Sequence, residues 1–147
     1  MKVMLLTCMT LLVMSSAHWE TDFAAAKNKA KESRRALLLN FSGSDWCIPC
    51  IRMHKEIFND KNFVSFSEGQ LVLYQADFPR KKKNELPAPL RQQNDSIAAI
   101  YNPTGKFPFT VLLSPDGEVL RQWDGYPGGG LPALLNDIKK VTHASNH

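Results

Sequence analysis

The sequence contains little cysteine and little histidine: three cysteines and four histidines occur in 147 residues. Cys47, Cys50 and His54 have the spacing of zinc ligands, but a closed zinc site needs four ligands. The remaining histidines all lie near the chain ends: His18, His143 and His147. Covalent haem attachment would require a histidine directly after Cys50, where Ile51 stands. We therefore expect no metal and no cofactor, and interpret His54 as a surface residue of a helix.

Long apolar runs are also missing, except at the start of the chain. After Lys2, residues 3–14 form an apolar stretch of 12 residues, and small residues follow at 15–17. A transmembrane helix needs roughly 20 residues, so this stretch is more typical of a signal peptide than of a membrane anchor. A lipid-modified Cys8 fits less well, because the apolar run continues past it. We predict a cleaved signal peptide at 1–17 and an exported protein, periplasmic or secreted, without stable membrane insertion.

The positive charge shows no pattern that is typical of nucleic-acid binding. The net charge is +4, and the excess is partly concentrated in Arg80-Lys81-Lys82-Lys83. This run is short and has no interleaved aromatic residues, which makes it a weak signal for nucleic acid. We predict a solvated loop there and no nucleic-acid partner.

Composition and hydrophobic patterning indicate a single α/β domain at 18–147. Apolar residues make up 44% and charged residues 22% of the chain, as in ordinary globular domains. Helices are predicted at 23–35, 51–58, 90–101 and 131–141, with an irregular or helical segment at 59–66. Strands are predicted at 36–41, 71–76, 109–113 and 119–123. The connecting segments are a loop at 78–89, a turn at 114–117 between the last two strands and a flexible connection at 125–130. This order predicts parallel first strands and a final antiparallel hairpin.

The chemistry is predicted to reside in Cys47 and Cys50, the two cysteines that remain after signal cleavage. A crosslink between residues three apart closes too small a loop to stabilise a fold well, so the pair favours reactivity. The pair lies at a predicted strand-to-helix junction, where the helix N-terminus favours a thiolate. Pro49 is compatible with the first helical turn. We expect an exposed Cys47 sulfur that attacks and a shielded Cys50 sulfur that resolves the mixed disulfide.

The segment Trp46-Cys47-Ile48-Pro49-Cys50 resembles the active-site motif of the thioredoxin superfamily. Phe107-Pro108, directly before a predicted strand, resembles the segment of that family that carries a cis-proline. The resemblance covers residues 23–141. It implies a thioredoxin-like three-layer α/β sandwich with a mixed central sheet and helices on both faces. It also implies a thiol–disulfide oxidoreductase.

The resemblance implies roles for individual residues. Cys47 is expected to be the nucleophile and Cys50 the resolving thiol. Trp46, Phe107 and Pro108 are expected to bind the substrate chain, with Pro108 in the cis form that only X-Pro bonds adopt at modest cost. An ordinary turn proline is the alternative at this position.

Two residues are expected to support the active site, and one of them departs from the family pattern. Pro49 stiffens the small ring between the cysteines. Asn40 lies near the position where thioredoxins have a buried aspartate, and an amide does not titrate. Asp45 is closer to the motif but is expected to be exposed. Proton transfer at Cys50 is then left to water or to another group.

The uncharged Ile48-Pro49 pair favours a reductase, because strong oxidants of the superfamily usually have a histidine between the cysteines. A disulfide isomerase or oxidase is the alternative among enzymes. Outside the enzymes, the alternative is a non-catalytic binding module that uses Trp46, Phe107, Trp123 and Tyr126. The expected partners are disulfide-containing exported proteins and a membrane-embedded thiol electron donor.

Overall fold

The computed structural model describes residues 16–145. Residues 1–15 of the predicted signal peptide and the last two residues lie outside this range. In chain order, the described part contains β1 Trp19–Glu20, α1 Phe23–Ser33, β2 Ala36–Ser42, α2 Ile48–Met53, α3 Lys61–Gln70, β3 Leu71–Asp77, α4 Ala88–Tyr101, β4 Phe109–Leu113, β5 Val119–Asp124 and α5 Gly130–Ala144. A π-helical turn at His54–Phe58 extends α2, and a 3-10 turn at Lys82–Asn84 precedes α4.

The five strands form one mixed sheet in the order β1-β3-β2-β4-β5. β3 pairs in parallel with both β1 and β2, whereas β4 pairs antiparallel with β2 and β5. Every residue of the central strand β2 is buried, as a continuous apolar run predicts for a strand covered on both faces.

Alternation of side chains along β2 divides the core into two layers. Leu37, Leu39 and Phe41 face a cluster that includes residues of α1 and α4. Ala36 and Leu38 face the opposite cluster, built with α2, α3 and α5. Helices therefore cover both faces of the sheet, and the predicted three-layer α/β sandwich is confirmed.

One element extends further than expected from the sequence, and another was not expected. The segment expected to be irregular or helical is a regular helix, α3, whose N-terminus is capped by Asp60 through a 2.7 Å hydrogen bond from the Asn62 backbone N–H. The two-residue strand β1 was not predicted, because two residues are too few for a period-2 pattern. Its Trp19 packs edge-on against Phe58, with ring centroids 5.0 Å apart.

The turns around the last strands follow from their glycines. The predicted hairpin turn between β4 and β5 is confirmed: the Gly117 N–H donates to the Ser114 carbonyl at 2.9 Å, with Gly117 at φ +91°. After β5, the Gly125 N–H donates to the Pro108 carbonyl at 2.9 Å. The connection after β5 is thereby bonded to the residue directly before β4.

A buried hydrogen-bond network fastens α4 to the sheet. The Tyr74 hydroxyl donates to Asn94 Oδ1 at 2.7 Å and accepts from Gln93 Nε2 at 2.6 Å. Asn94 Nδ2 donates in turn to the Asp77 carbonyl at 3.0 Å. Buried polar groups cost free energy unless they are paired, so this network fixes the position of α4 on β3.

Replacing Tyr74 by phenylalanine is expected to lower the free energy of unfolding by about 1–3 kcal/mol, because Asn94 and Gln93 lose their partner. Urea unfolding measures this change. Tyr101→Phe is the matched control, since the Tyr101 ring packs on Phe23 and its hydroxyl has no hydrogen bond within residues 16–145. The control should change stability by less than about 0.5 kcal/mol. Equal effects of the two variants would contradict the network's role.

Candidate active site: the Cys47–Cys50 pair

Cys47 and Cys50 form a disulfide at the start of α2, with Cα atoms 5.2 Å apart. Cys47 is the N-cap residue, and its sulfur accepts a hydrogen bond from the Cys50 backbone N–H at 3.3 Å. Pro49 lies in the first turn of the helix, as expected. The unpaired N–H groups and the positive end of the helix favour negative charge on the Cys47 sulfur once the disulfide is reduced.

The exposure of the two cysteines differs less than expected. Cys47 is 5% exposed and Cys50 is 3% exposed, so the prediction of an exposed Cys47 is wrong for this disulfide form. The Cys47 sulfur is bonded to Cys50 and accepts the Cys50 backbone N–H. Ile48 is 74% exposed. Ile48, which directly follows Cys47, is therefore an exposed apolar side chain next to the disulfide.

The expected substrate-binding residues lie together. The Trp46 and Phe107 rings contact edge to face with centroids 5.4 Å apart, and Phe107 contacts Phe78 at 5.5 Å. Trp46 Nε1 donates to the Phe78 carbonyl at 2.7 Å. The Phe107-Pro108 peptide bond is cis, as expected. Phe78 was not singled out from the sequence, because nothing in its own segment indicates this long-range contact.

Gly43 makes room for Trp46. A Cβ atom on Gly43 would lie 2.3 Å from Trp46 Cε2, which is closer than atoms can approach. The Gly43 carbonyl also accepts the backbone N–H groups of Trp46 at 3.2 Å and Cys47 at 2.9 Å. Gly43 is thus a positioning residue of the approach loop. The sequence indicated only a break after the strand there.

Asn40 is buried and pairs within the sheet. Its Nδ2 donates to Thr110 Oγ1 at 3.0 Å, and both side chains are almost fully buried. Asn40 lies on the side of β2 that also carries Ala36 and Leu38, the side covered by α2. An amide held in this way offers no proton to the cysteines, and its support of the active site remains a prediction.

A small cleft adjoins Cys50. Its volume is about 260 Å³, and it is lined by Ser42, Ser44, Cys50, Ile51, His54 and Gln75. His54 is exposed, as expected of a surface helix residue. The cleft therefore gives both water and an imidazole access to the side of Cys50.

Asp45 serves a structural purpose. Its carboxylate accepts the backbone N–H groups of Arg80 at 2.9 Å and Lys81 at 3.0 Å, and the Asn84 side-chain amide at 2.9 Å. These hydrogen bonds hold the pKa of Asp45 below its usual value, and the bond from the Arg80 N–H has the largest effect. Asp45 thus anchors the loop that follows β3, at residues 80–84.

Comparison with known proteins agrees with this geometry. A family model described as a thioredoxin-like domain matches residues 23–138. The chain belongs to the thioredoxin-like family. DsbH of Chlamydia pneumoniae, named a disulfide bond reductase, is 34% identical over 130 residues, which cover 88% of this chain and 75% of DsbH. DsbJ of the same organism, named a thioredoxin-related protein, is 30% identical over 96 residues, which cover 65% of this chain and 27% of DsbJ.

Solved structures give the same result. A structure titled DsbH oxidoreductase aligns with a TM-score of 0.78 at 31% identity, covering 97% of this chain and 95% of that one. A thioredoxin from Thermus thermophilus aligns with a TM-score of 0.65 at 18% identity, covering 86% and 88%, which supports the fold alone. With its cysteine pair at disulfide distance, this thioredoxin-like chain is a thiol–disulfide oxidoreductase.

Two structural features are absent from residues 16–145. No group of three or more histidine, cysteine, aspartate or glutamate side chains is arranged to hold a metal ion there. In the same range, no helix has the length and apolar character needed to cross a membrane.

Gly43→Ala is expected to destabilise the thioredoxin-like fold by about 1–3 kcal/mol, because Trp46 or the backbone of the approach loop must move. Urea unfolding measures the loss, and the NMR signal of the Trp46 indole N–H reports the broken bond to Phe78. Gly69→Ala is the control: nothing lies within 4 Å of its added Cβ. Because Gly69 is helical, alanine there should stabilise by about 0.5–1 kcal/mol. An unshifted indole signal in Gly43→Ala would refute the close packing.

Proposed function

We propose that this oxidoreductase is exported and that its reduced Cys47–Cys50 pair reduces disulfides in other exported proteins. The observation that carries the proposal is the cysteine pair at the N-terminus of α2, where Cys47 accepts the Cys50 N–H. Such a site favours a thiolate at Cys47, the form that attacks disulfides.

The proposed reaction transfers two electrons in two exchange steps. The Cys47 thiolate attacks one sulfur of the substrate disulfide, forms a mixed disulfide and releases the first substrate thiolate. Cys50 then loses its proton and attacks the Cys47 sulfur, which forms the intramolecular disulfide and releases the second substrate thiolate. Both substrate thiolates take up protons. Water in the cleft beside Cys50, with His54 at its edge, is the proposed acceptor of the Cys50 proton.

Trp46, Phe107 and Pro108 are proposed to bind the substrate chain. Trp46 and Phe107 are in contact with each other, and Pro108 directly follows Phe107. Together with the exposed Ile48, they would form an apolar contact surface around the sulfurs. Pro49 is proposed to stiffen the ring that Cys47 and Cys50 close.

The direction toward reduction rests on the residues between the cysteines. Ile48 and Pro49 carry no charge that would stabilise the thiolate form further, and stabilisation of the reduced form is what makes a strong oxidant. The printed name of the relative DsbH, a disulfide bond reductase, supports the same direction. An isomerase or an oxidase remains the alternative.

A non-catalytic binding module is less well supported, because its candidate aromatic residues do not form one surface. Trp123 and Tyr126 pack against the core beneath α2, α3 and α5, whereas Phe107 packs against the opposite core. Trp123 Nε1 donates to Asp137 at 3.1 Å, and the Tyr126 hydroxyl donates to Glu56 at 2.8 Å. These side chains are engaged within the domain.

The source of electrons is proposed to be a membrane-embedded thiol protein. A reductase outside the cytoplasm needs such a donor because soluble NADPH systems are not exported. The proposal depends on residues 1–17 acting as a signal peptide, and the Dsb names of the relatives support it.

Cys47→Ser is expected to abolish reduction of a model protein disulfide such as that of insulin, because the attacking sulfur is lost. Cys50→Ala should instead accumulate a mixed disulfide through Cys47, since no second sulfur is present to resolve it. Turnover with dithiothreitol and mass spectrometry of the adducts measure the two effects. Equal rates for wild type and Cys47→Ser would sink the enzymatic proposal.

The same Cys50→Ala variant, expressed with residues 1–17 in its native host, is expected to trap exported substrates and the membrane donor. Cys47→Ser/Cys50→Ala is the matched control that should trap nothing. Adducts formed only with cytoplasmic proteins would contradict export, and the absence of any membrane protein would contradict the proposed donor.

The reduction potential of the pair is expected to lie between about −230 and −270 mV, on the thioredoxin side of the superfamily range. Equilibration with glutathione at known ratios measures it. A potential at or above about −180 mV, the level of protein disulfide isomerase, would overturn the proposed direction.

A further inference from the structure

The basic loop, defined here as residues 79–84, is anchored to the active site. Asp45, which directly precedes Trp46, accepts two backbone N–H groups and one side-chain amide from this loop, with distances of 2.9–3.0 Å. The sequence predicted a solvated loop, and its charged side chains are indeed exposed. The three bonds from Asp45 nevertheless hold its backbone against the approach loop of the dithiol.

Arg80 extends this attachment to the predicted substrate-binding surface. Its guanidinium carbon lies 3.6 Å from the centroid of the Trp46 ring, and the Trp46 ring in turn contacts Phe107. A guanidinium stacked on an aromatic ring keeps its N–H groups, which point outward in the plane of the guanidinium, free for hydrogen bonds. Arg80 is therefore an exposed cation in contact with Trp46, the residue directly before Cys47.

The positive charge of the basic loop is only partly compensated. Asp45 interacts electrostatically with Lys81. Within residues 16–145, no acidic side chain forms an ion pair with Arg80, Lys82 or Lys83. Glu85, the nearest acidic residue in sequence, is paired with Arg91 at 2.7 Å. The loop thus presents an excess of positive charge beside the active site.

A cleft of about 420 Å³ between the basic loop and α4 continues this surface. Phe78, Pro79 and Leu86 give it apolar walls, and Arg80, Lys82 and Arg91 contribute cations. Three carboxylates also line it, Asp77, Glu85 and Asp95, of which Asp77 is bonded to Ser44 and Glu85 to Arg91. With Lys81 included, four cations and three carboxylates line the cleft, so the excess of positive charge comes from the basic loop itself.

We propose that the basic loop is a docking site for acidic residues that flank the disulfide of the substrate protein. This inference rests on the proposed reductase function and adds a substrate class to it. Acidic side chains near the reacting cysteine would bind Arg80, Lys82 and Lys83 while the sulfur approaches Cys47. The electron balance is unchanged: the protein dithiol becomes a disulfide, and the substrate disulfide becomes two thiols.

Three disulfide-linked peptides that differ only in the residues flanking cysteine, namely Glu, Gln or Lys, test the proposal. The reduced protein should react about 10-fold faster with the Glu peptide than with the Gln peptide at low salt, and slowest with the Lys peptide. The preference should largely disappear between about 0.02 M and 0.3 M salt, because ions screen exposed charges. Stopped-flow tryptophan fluorescence measures these rates.

Lys82→Glu/Lys83→Glu should abolish the preference for the Glu peptide and leave the rate with the Gln peptide unchanged. Lys139→Glu/Lys140→Glu on α5 is the matched control with the same change of charge. Lys139 lines a different cleft together with Arg35, Ala36 and Pro115. That cleft lies where β2 begins, whereas the cysteines follow the end of β2. The control should retain the preference.

The outcomes separate this inference from the proposed function. Failure to reduce even the Gln peptide would refute the reductase function. Reduction of all three peptides at equal rates, or equal loss of the preference in both double variants, would refute only the docking site. Binding of the protein to vesicles of anionic lipid that is abolished by Lys82→Glu/Lys83→Glu, with no preference among the peptides, would assign the loop to a membrane surface instead.

Discussion

The antiparallel pairing of β2 with β4 is the constraint on which the site depends. Phe41 pairs with Phe109 and Asn40 with Thr110, so the end of β2 and the start of β4 lie at the same edge of the sheet. The loop that carries Cys47 follows β2 directly, and Pro108 directly precedes β4. Residues about 60 positions apart in the chain thus meet because one strand register brings them together. The buried Asn40–Thr110 hydrogen bond helps to hold that register, since a slip of one residue would separate these two polar side chains.

The same pairing bears on proton transfer. Asn40 and Thr110 face each other across the two strands and satisfy one another in the core, so this pair contributes to a unique register as well as to packing. An ionisable group at Asn40 would have to be paired or neutralised at this depth. With an amide there, this position offers the Cys50 proton no ionisable partner, and a cleft opens beside Cys50 instead. The proposed reaction therefore places proton transfer at the solvent side of Cys50 and not in the protein interior.

Most of the fold could be predicted from the sequence, because its signals are local. The apolar run of β2, the turn at Gly117 and the proline-containing cysteine motif each identify their own structure within a few residues. The tertiary contacts of the site carry no such signal. The anchoring of the basic loop by Asp45 joins segments more than 30 residues apart. The need for a small residue at Gly43 arises from one close contact, with Trp46. Cys47 also differed from expectation, since it is almost fully buried in the disulfide form.

A small oxidoreductase has few means of choosing among substrates, because the chemistry itself requires only an accessible disulfide. Ile48 is largely exposed, but an apolar contact of this kind accepts many partner chains. Electrostatic attraction acts differently, because it increases the rate of encounter between oppositely charged proteins. It is largely screened beyond a Debye length, which is about 8 Å at physiological ionic strength. A cation can therefore select for acidic residues only if it is held close to the reacting sulfur. The contact of Arg80 with Trp46, and the hydrogen bonds of Asp45 to the basic loop, attach these cations to the two residues that directly precede Cys47.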